Sequence, residues 1–190
     1  QRPRPPCRAI SAASTAPEDP VATRGGLEGY AEALRRGATT ATAAAQAYLA
    51  RIAALDGKLQ CYEHVAADSA LAEAAALDQE AARGDGPGAG LFGVPVGVKD
   101  IFAIEGTPVR CGSALEERGV LDVTSLVGPE GGFVRRLRAC GAVLLGKTKT
   151  VEFASGGLGI NRVRGTPWNP ADLETHRIPG GSSSGSAAAV

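Results

Sequence analysis

The sequence predicts an α/β fold in which helices surround a mixed, partly parallel sheet. Helical spacing of apolar residues fills most of residues 27–84. Apolar runs within 93–102 and 142–148 then flank a further helical segment, and this order of strand, helix and strand favours parallel neighbours. A composition of 44% hydrophobic and 21% charged residues is typical of a globular domain. In such folds, ligand sites tend to lie outside the carboxyl ends of the strands.

The first two predicted helices form a hairpin. Residues 27–36 place an apolar stripe on one helical face, and the glycine that follows ends the helix. The second helix begins where Thr39 or Thr40 caps it, and its apolar face continues for several turns. We expect the Asp56-Gly57 pair to end this helix.

The remaining elements follow in order along the chain. Residues 61–67 are short and mixed, as in a strand, and Asp68 begins a third helix that runs towards residue 84. The other predicted elements are a loop at 84–90, a strand within 93–102, a helix at 132–141 and a strand at 142–148. The chain contains no internal repeat.

The N-terminal segment, residues 1–26, differs from the rest of the chain. Its prolines lie among Ala, Ser and Arg, a mixture that cannot bury enough apolar surface to fold, so we predict a disordered tail. Residues 27–190 have the length of one domain. The first residue is Gln1 and the last, Val190, follows an apolar run, so we expect the chain to be a fragment.

Charge and cysteine content exclude several classes of function. The 20 basic and 20 acidic side chains balance, so nothing favours nucleic acid or an anionic membrane as a partner. The four cysteines stand far apart without CxxC spacing, which argues against a zinc site or a disulfide framework. We therefore expect a small-molecule substrate, no cofactor, no metal, and free thiols in the cytoplasm. The sequence is also compatible with a homo-oligomer.

Residues 141–148, GAVLLGKT, formally match the pattern of a phosphate-binding loop. Such a loop needs a strand before its first glycine and a helix after its lysine. Here a predicted helix precedes the glycine, and the spacer from Ala142 to Leu145 is apolar strand material. We therefore interpret the segment as a buried strand that ends in a polar turn, and reject nucleotide binding.

Lys99 stands at the end of the predicted strand GVPVGVKD, on the face that carries Pro95 and Gly97. A desolvated lysine can lose its proton near neutrality and act as a base, whereas arginine stays charged. This chain uses arginine for most of its positive charge, so a lysine in an apolar strand suggests a specific use. The alternative is a lysine whose amine reaches water at the strand end. Taken alone, the strand favours this second interpretation.

The segment IPGGSSSGSAAAV, residues 178–190, places a run of serines between two glycines and an Ala-rich run. Its composition alone fits a flexible linker. The apolar residues at its end indicate instead that the chain turns back into packed structure. A tight glycine turn that presents a hydroxyl and leads into a helix is a common way of exposing catalytic groups.

Three segments together resemble the amidase-signature family. They are GVPVGVKD at 93–100, the segment FVRRLRACGAVLLGKTKTVEFASGGLGINRVRGTPWNP at 133–170, and PGGSSSGSAAAV at 179–190. Each motif alone is of moderate specificity, but the set occurs in the family's order. The resemblance implies the amidase-signature fold, truncated at the C-terminus, with residues 27–190 as the N-terminal part of the amidase domain.

The resemblance also implies an amide hydrolase that uses a Ser-cisSer-Lys triad. Lys99 matches the family's catalytic lysine, and Ser182 matches its bridging serine, which sits on a cis peptide bond. The nucleophile and the oxyanion hole belong to a further glycine-serine motif, which would lie beyond the last residue of this chain. Ser183, Ser184 and Ser186 do not match that motif. The chain by itself is therefore expected to be inactive.

The same resemblance implies a substrate-binding role for three further residues and no catalytic role for the histidines. The segment FASGGLG would form part of the pocket wall, so Ser155, Gly156 and Gly157 are candidate substrate-binding residues. His64 and His176 are the only histidines, and a lysine base removes the need for a charge-relay histidine. We expect both histidines to lie outside the catalytic machinery.

Two alternatives to a stand-alone hydrolase of small carboxamides or urea-like compounds stay open. Within the family, the A subunit of a glutamine-dependent tRNA amidotransferase would need glutamine and partner subunits. The segment EFASGGLGIN looks more like that of stand-alone amidases. Outside the family, a noncatalytic α/β binding module could use the Gly-Ser loop to bind an anion.

Overall fold

A three-stranded sheet forms the centre of the fold, in the strand order β1-β3-β2. The computed structural model describes residues 18–84 and 90–190. Strand β1 is Tyr62–Val65, β2 is Pro95–Lys99 and β3 is Val143–Thr148. Strand β2 runs parallel to β3, while β1 runs antiparallel to it. The predicted mixed α/β fold is therefore confirmed.

Six α-helices accompany the sheet in the described ranges. They are α1 (Leu27–Arg35), α2 (Ala41–Leu59), α3 (Ala67–Ala82), α4 (Val123–Val127), α5 (Gly132–Ala139) and α6 (Ser184–Ala189). Short 3-10 turns span Ala22–Arg24 and Glu152–Ala154. None of the described helices combines the length and the apolar character that a bilayer crossing requires.

Helix α2 is longer than the sequence predicted. Thr40 caps its N-terminus by accepting a hydrogen bond from the Ala43 backbone N–H at 3.0 Å, but the helix continues past Gly57 to Leu59. A glycine inside a helix costs only about 1 kcal/mol relative to alanine. The buried Leu59 side chain offsets that cost, because burying a leucine contributes about 1.5–3 kcal/mol. The prediction that Asp56-Gly57 ends the helix was wrong for this reason.

Small side chains hold helices α2 and α3 against the sheet. The buried core on this side of β3 consists of Ala41, Ala45, Ala70, Ala74, Val143 and Leu145. Alanines at the contact let the helix backbones approach the strand closely. Strand β3 is buried along its whole length. Helices α2 and α3 cover one of its faces. On the other face lies a second apolar cluster, formed by Val98, Ile104, Val134, Ala142 and Leu144.

The first described residues contact the domain. The Asp19 carboxylate accepts a hydrogen bond from the Tyr48 hydroxyl at 2.6 Å and two more from the backbone N–H groups of Val21 and Ala22. Residues 18–26, which the sequence analysis assigned to the tail, are thereby attached to α2. The rest of the predicted tail, 1–17, and most of the predicted loop at 84–90 lie outside the described residues.

Helix α6 meets the sheet at Gly185. The backbone N–H of Gly185 donates to the Lys149 carbonyl at 2.9 Å. A β-carbon at Gly185 would lie 2.1 Å from the Cys61 carbonyl oxygen and 2.4 Å from the Lys149 nitrogen. Both obstructing atoms are backbone, so they cannot move aside as a flexible side chain would.

We expect Gly185→Ala to lower the free energy of unfolding of the complete protein by about 3 kcal/mol, since overpacking of this kind forces backbone shifts. Gly57→Ala is the matched control, because nothing lies within 4 Å of a β-carbon there. The control should raise stability by about 0.5–1 kcal/mol through its better helix propensity. Urea denaturation of both variants measures the difference, and equal stabilities would contradict the close approach of α6.

Candidate active site

The candidate site lies at the carboxyl ends of the two parallel strands. Strand β2 ends at Lys99, which pairs in register with Thr148 at the end of β3. The Lys99 Nζ donates a hydrogen bond to the Ser182 Oγ at 2.7 Å, although the two residues are 83 positions apart in the chain. The fold therefore brings together the lysine and the serine that sequence analysis singled out.

The surroundings of Lys99 make its amine easier to deprotonate than a fully solvated lysine. The side chain is partly buried, and this desolvation lowers the pKa of Lys99 below its usual value of 10.5. Among the described residues, no carboxylate forms an ion pair with Lys99 that would stabilise the protonated amine. The Lys99 amine thus lies at the Ser182 hydroxyl.

Ser182 is held in place through its backbone carbonyl group. The bond between Gly181 and Ser182 is a cis peptide, the conformation that the family resemblance implies at this position. The Ser182 carbonyl oxygen accepts hydrogen bonds from the Val151 backbone N–H and from the Thr150 hydroxyl, each at 3.0 Å. Neither donor was identified from the sequence, because nothing in the residue pattern relates 150–151 to 182.

The glycine-rich loop at 155–159 lies against residues 179–183, the serine loop, which carries Ser182. A β-carbon at Gly181 would lie 2.7 Å from the Gly159 Cα and 3.3 Å from the Gly156 carbonyl oxygen. The structure thus brings Gly156 beside the candidate site. Ser155 and Gly157 are exposed in the same loop, and a substrate-binding role for these residues stays a prediction.

The other serines of the run have different partners. The Ser186 and Thr148 hydroxyls are 2.7 Å apart. Ser184 is fully buried and its hydroxyl donates to the Lys149 carbonyl at 3.4 Å, a long hydrogen bond. The Ser183 carbonyl accepts the Ala187 backbone N–H. Ser182 is therefore the member of the run that engages Lys99.

A buried ion pair lies on the sheet next to the site. The Lys147 Nζ is 2.7 Å from the Asp100 Oδ1, and the two side chains are 0% and 1% exposed. The Asp100 carboxylate also accepts the Arg110 backbone N–H at 3.2 Å. Lys147 belongs to the segment that formally matched a phosphate-binding loop, and the structure shows that segment to be strand β3. The sequence offered no signal that Lys147 pairs with Asp100.

The histidines lie in other environments. The His176 ring stacks on Trp168, with centroids 4.2 Å apart and planes 4° from parallel. His64 lies in β1, in register with Lys147. Within residues 18–84 and 90–190, no group of three or more His, Cys, Asp and Glu side chains is arranged to hold a metal ion.

The chain matches a known protein family. The model of the family named Amidase matches residues 43–190. The chain belongs to the amidase family. Its curated relatives in this family include the A subunit of the glutamyl-tRNA(Gln) amidotransferase of Thermobifida fusca, which is 44% identical over 83% of this chain. The corresponding protein of Chromohalobacter salexigens is 42% identical over 86% of the chain.

Solved amidase structures show the same fold. The peptide amidase of Stenotrophomonas maltophilia covers 84% of this chain with a TM-score of 0.71 and 35% identity. A 6-aminohexanoate cyclic dimer hydrolase covers 91% with a TM-score of 0.68 and 28% identity. This chain spans 30% of the Thermobifida protein, 32% of the peptide amidase and 31% of the cyclic dimer hydrolase. The predicted family and amidase-signature fold are confirmed.

Proposed function

We propose that this chain supplies the lysine and the bridging serine of an amide hydrolase with a Ser-cisSer-Lys triad. The observation that carries the proposal is the 2.7 Å hydrogen bond between the Lys99 Nζ and the Ser182 Oγ. Residues 27–190 would form the N-terminal part of the amidase domain, and the nucleophile is expected beyond residue 190. The substrate would be a small amide, cleaved at its carbon-nitrogen bond.

The proposed chemistry is a proton relay. Neutral Lys99 takes the Ser182 hydroxyl proton while Ser182 takes the proton of the nucleophilic serine, which attacks the amide carbonyl carbon. The C–N bond then breaks, and the relay returns a proton to the departing amine. An acyl-enzyme results, and water hydrolyses it through the same relay. The lowered pKa of Lys99 supports this role, because only the neutral amine can accept a proton.

A second candidate function is that of the A subunit of a glutamine-dependent tRNA amidotransferase. The 44% identity to the Thermobifida fusca protein favours it. The two candidates differ in what the complete protein needs. A stand-alone amidase should release ammonia from members of a small-amide panel when purified alone. A component of an amidotransferase should act on glutamine and require partner subunits, which affinity purification of the tagged protein would recover.

We propose that this protein resides in a reducing compartment, as the wide spacing of its cysteines predicts. Cys61, Cys111 and Cys140 are free in the structure. Burial raises the pKa of the Cys61 thiol to about 12, so this thiol stays protonated at neutral pH. A cytoplasmic location is part of this proposal.

The relay is tested by Ser182→Ala in the complete protein. We expect kcat on the best amide of the panel to fall about 10²-fold or more, because Lys99 then has no hydroxyl through which to draw the proton. Ser183→Ala is the matched control, since no side-chain hydrogen bond caps α6 at Ser183. The control should keep its rate within about twofold. Full activity of Ser182→Ala would reject the relay and would show that Ser182 is not needed for hydrolysis.

A further inference from the structure

We propose that Thr150 is a positioning residue for Ser182, an inference that rests on the proposed relay. Thr150 follows strand β3 and is 1% exposed. Its hydroxyl is 3.0 Å from the Ser182 carbonyl oxygen. Thr150 therefore acts on the serine from inside the protein and has no route to the substrate.

Two consecutive residues hold the Ser182 carbonyl. The Val151 backbone N–H is the first donor and the Thr150 hydroxyl the second, both at 3.0 Å. The hydroxyl also lies 3.0 Å from the Val151 carbonyl oxygen, which already accepts the Ala154 N–H. Since a hydroxyl has one proton, it shares that proton between two carbonyls. It thereby links the serine loop to the chain that leaves β3.

The backbone of Thr150 is itself held by the side chain of Asn161. Its carbonyl oxygen accepts the Asn161 Nδ2 at 2.9 Å, and the same amide donates to the Gly112 carbonyl at 2.8 Å. The Asn161 Oδ1 accepts the backbone N–H groups of Val163 and Arg164 at 2.8 and 2.9 Å. Asn161 is 4% exposed, so the amide uses its donors and its acceptor within the protein. This arrangement gives Thr150 a rigid support.

Thr150 affects the proposed proton relay through Ser182. Ser182 has its carbonyl held by Thr150 and Val151 and its hydroxyl 2.7 Å from the Lys99 Nζ. A proton relay depends steeply on such a distance. Without the threonine hydroxyl the Ser182 carbonyl keeps only the backbone donor, and the serine samples positions farther from Lys99. Turnover should fall, whereas substrate binding should not change.

The test compares Thr150→Val with Thr150→Ser in the complete protein. Valine has the shape of threonine but no hydroxyl, while serine keeps the hydroxyl and loses the methyl group. On the best amide of the panel we expect kcat to fall about fivefold to tenfold in Thr150→Val, the size that follows from losing one hydrogen bond. KM should stay within about twofold. Thr150→Ser should recover most of the lost turnover.

Thr148→Val provides the matched control. Thr148 is also 1% exposed, and its hydroxyl is 2.7 Å from the Ser186 hydroxyl instead of contacting Ser182. We expect this variant to lose stability while it keeps kcat within about twofold. If Thr150→Val does not fold, Thr150→Ala compared with Thr150→Ser makes the same comparison.

Three outcomes would overturn the assignment of Thr150: wild-type kcat in Thr150→Val, an equal loss in Thr150→Ser, or an equal loss in Thr148→Val. Failure of the underlying relay has a different signature, since Ser182→Ala would then be fully active. An inactive Ser182→Ala beside a fully active Thr150→Val rejects only the positioning role.

Discussion

Arginine in place of Lys99 is expected to lower kcat for amide hydrolysis by about 10⁴-fold in the complete protein, with the fold preserved. The Lys99 amine is partly buried, and desolvation lowers its pKa. Arginine keeps its proton under all ordinary conditions and so cannot accept one from Ser182. Ammonia release on an amide panel measures activity, and thermal unfolding checks the fold.

Lys58→Arg is the control for this substitution. The Lys58 Nζ lies 3.2 Å from the centroid of the Trp168 ring, a contact that arginine can also make. The control should therefore retain both its activity and its thermal stability. Near-normal turnover by folded Lys99→Arg would remove Lys99 from the role of base.

The assignment of Lys99 as the base also predicts the direction in which kcat changes with pH. The relay needs neutral Lys99, so kcat should rise as the pH rises through the pKa of this amine. Because burial lowers that pKa from 10.5, the rise should lie below pH 10.5. A wild-type rate that falls over this range while the protein stays folded would contradict a lysine base.

Methionine in place of Lys147 is expected to lower the free energy of unfolding by about 3–5 kcal/mol. Methionine keeps much of the length and apolar character of lysine but leaves the Asp100 carboxylate buried without its cation. Asp100 is 1% exposed along its side chain, so water cannot replace the missing ammonium. Urea denaturation of the complete protein at pH 8 measures the loss.

The pH dependence of this loss separates an unpaired charge from poor packing. In the variant, burial without a cation raises the pKa of Asp100 above its unfolded value, so the folded state binds a proton more readily. The destabilisation should therefore be smaller at pH 5 than at pH 8. Arg35→Met is the control, because the Arg35 side chain is 53% exposed in its pair with Glu32 and should contribute at most about 1 kcal/mol. A loss in Lys147→Met that does not change with pH would indicate poor packing.

Local pattern was enough to predict much of the fold. The alternation of residues in GVPVGVKD placed Lys99 at the end of a strand, and β2 ends there. The apolar spacer of 141–148 predicted a strand instead of a phosphate loop, and β3 fills most of that segment. Prediction failed at the end of α2, because the burial of Leu59 depends on Cys61 and Ala188, which lie outside the helix.

The sequence by itself determined the strand-helix-strand order, the family resemblance and the two residues proposed for the relay. The order of the elements follows from spacing, which is a property of neighbouring residues, whereas the two relay residues are what the family resemblance implies. Only the tertiary structure decided which distant groups meet: Lys99 with Ser182, Lys147 with Asp100, and Thr150 with the Ser182 carbonyl. Each of these contacts joins residues that packing alone brings within hydrogen-bond distance, so no local pattern encodes them.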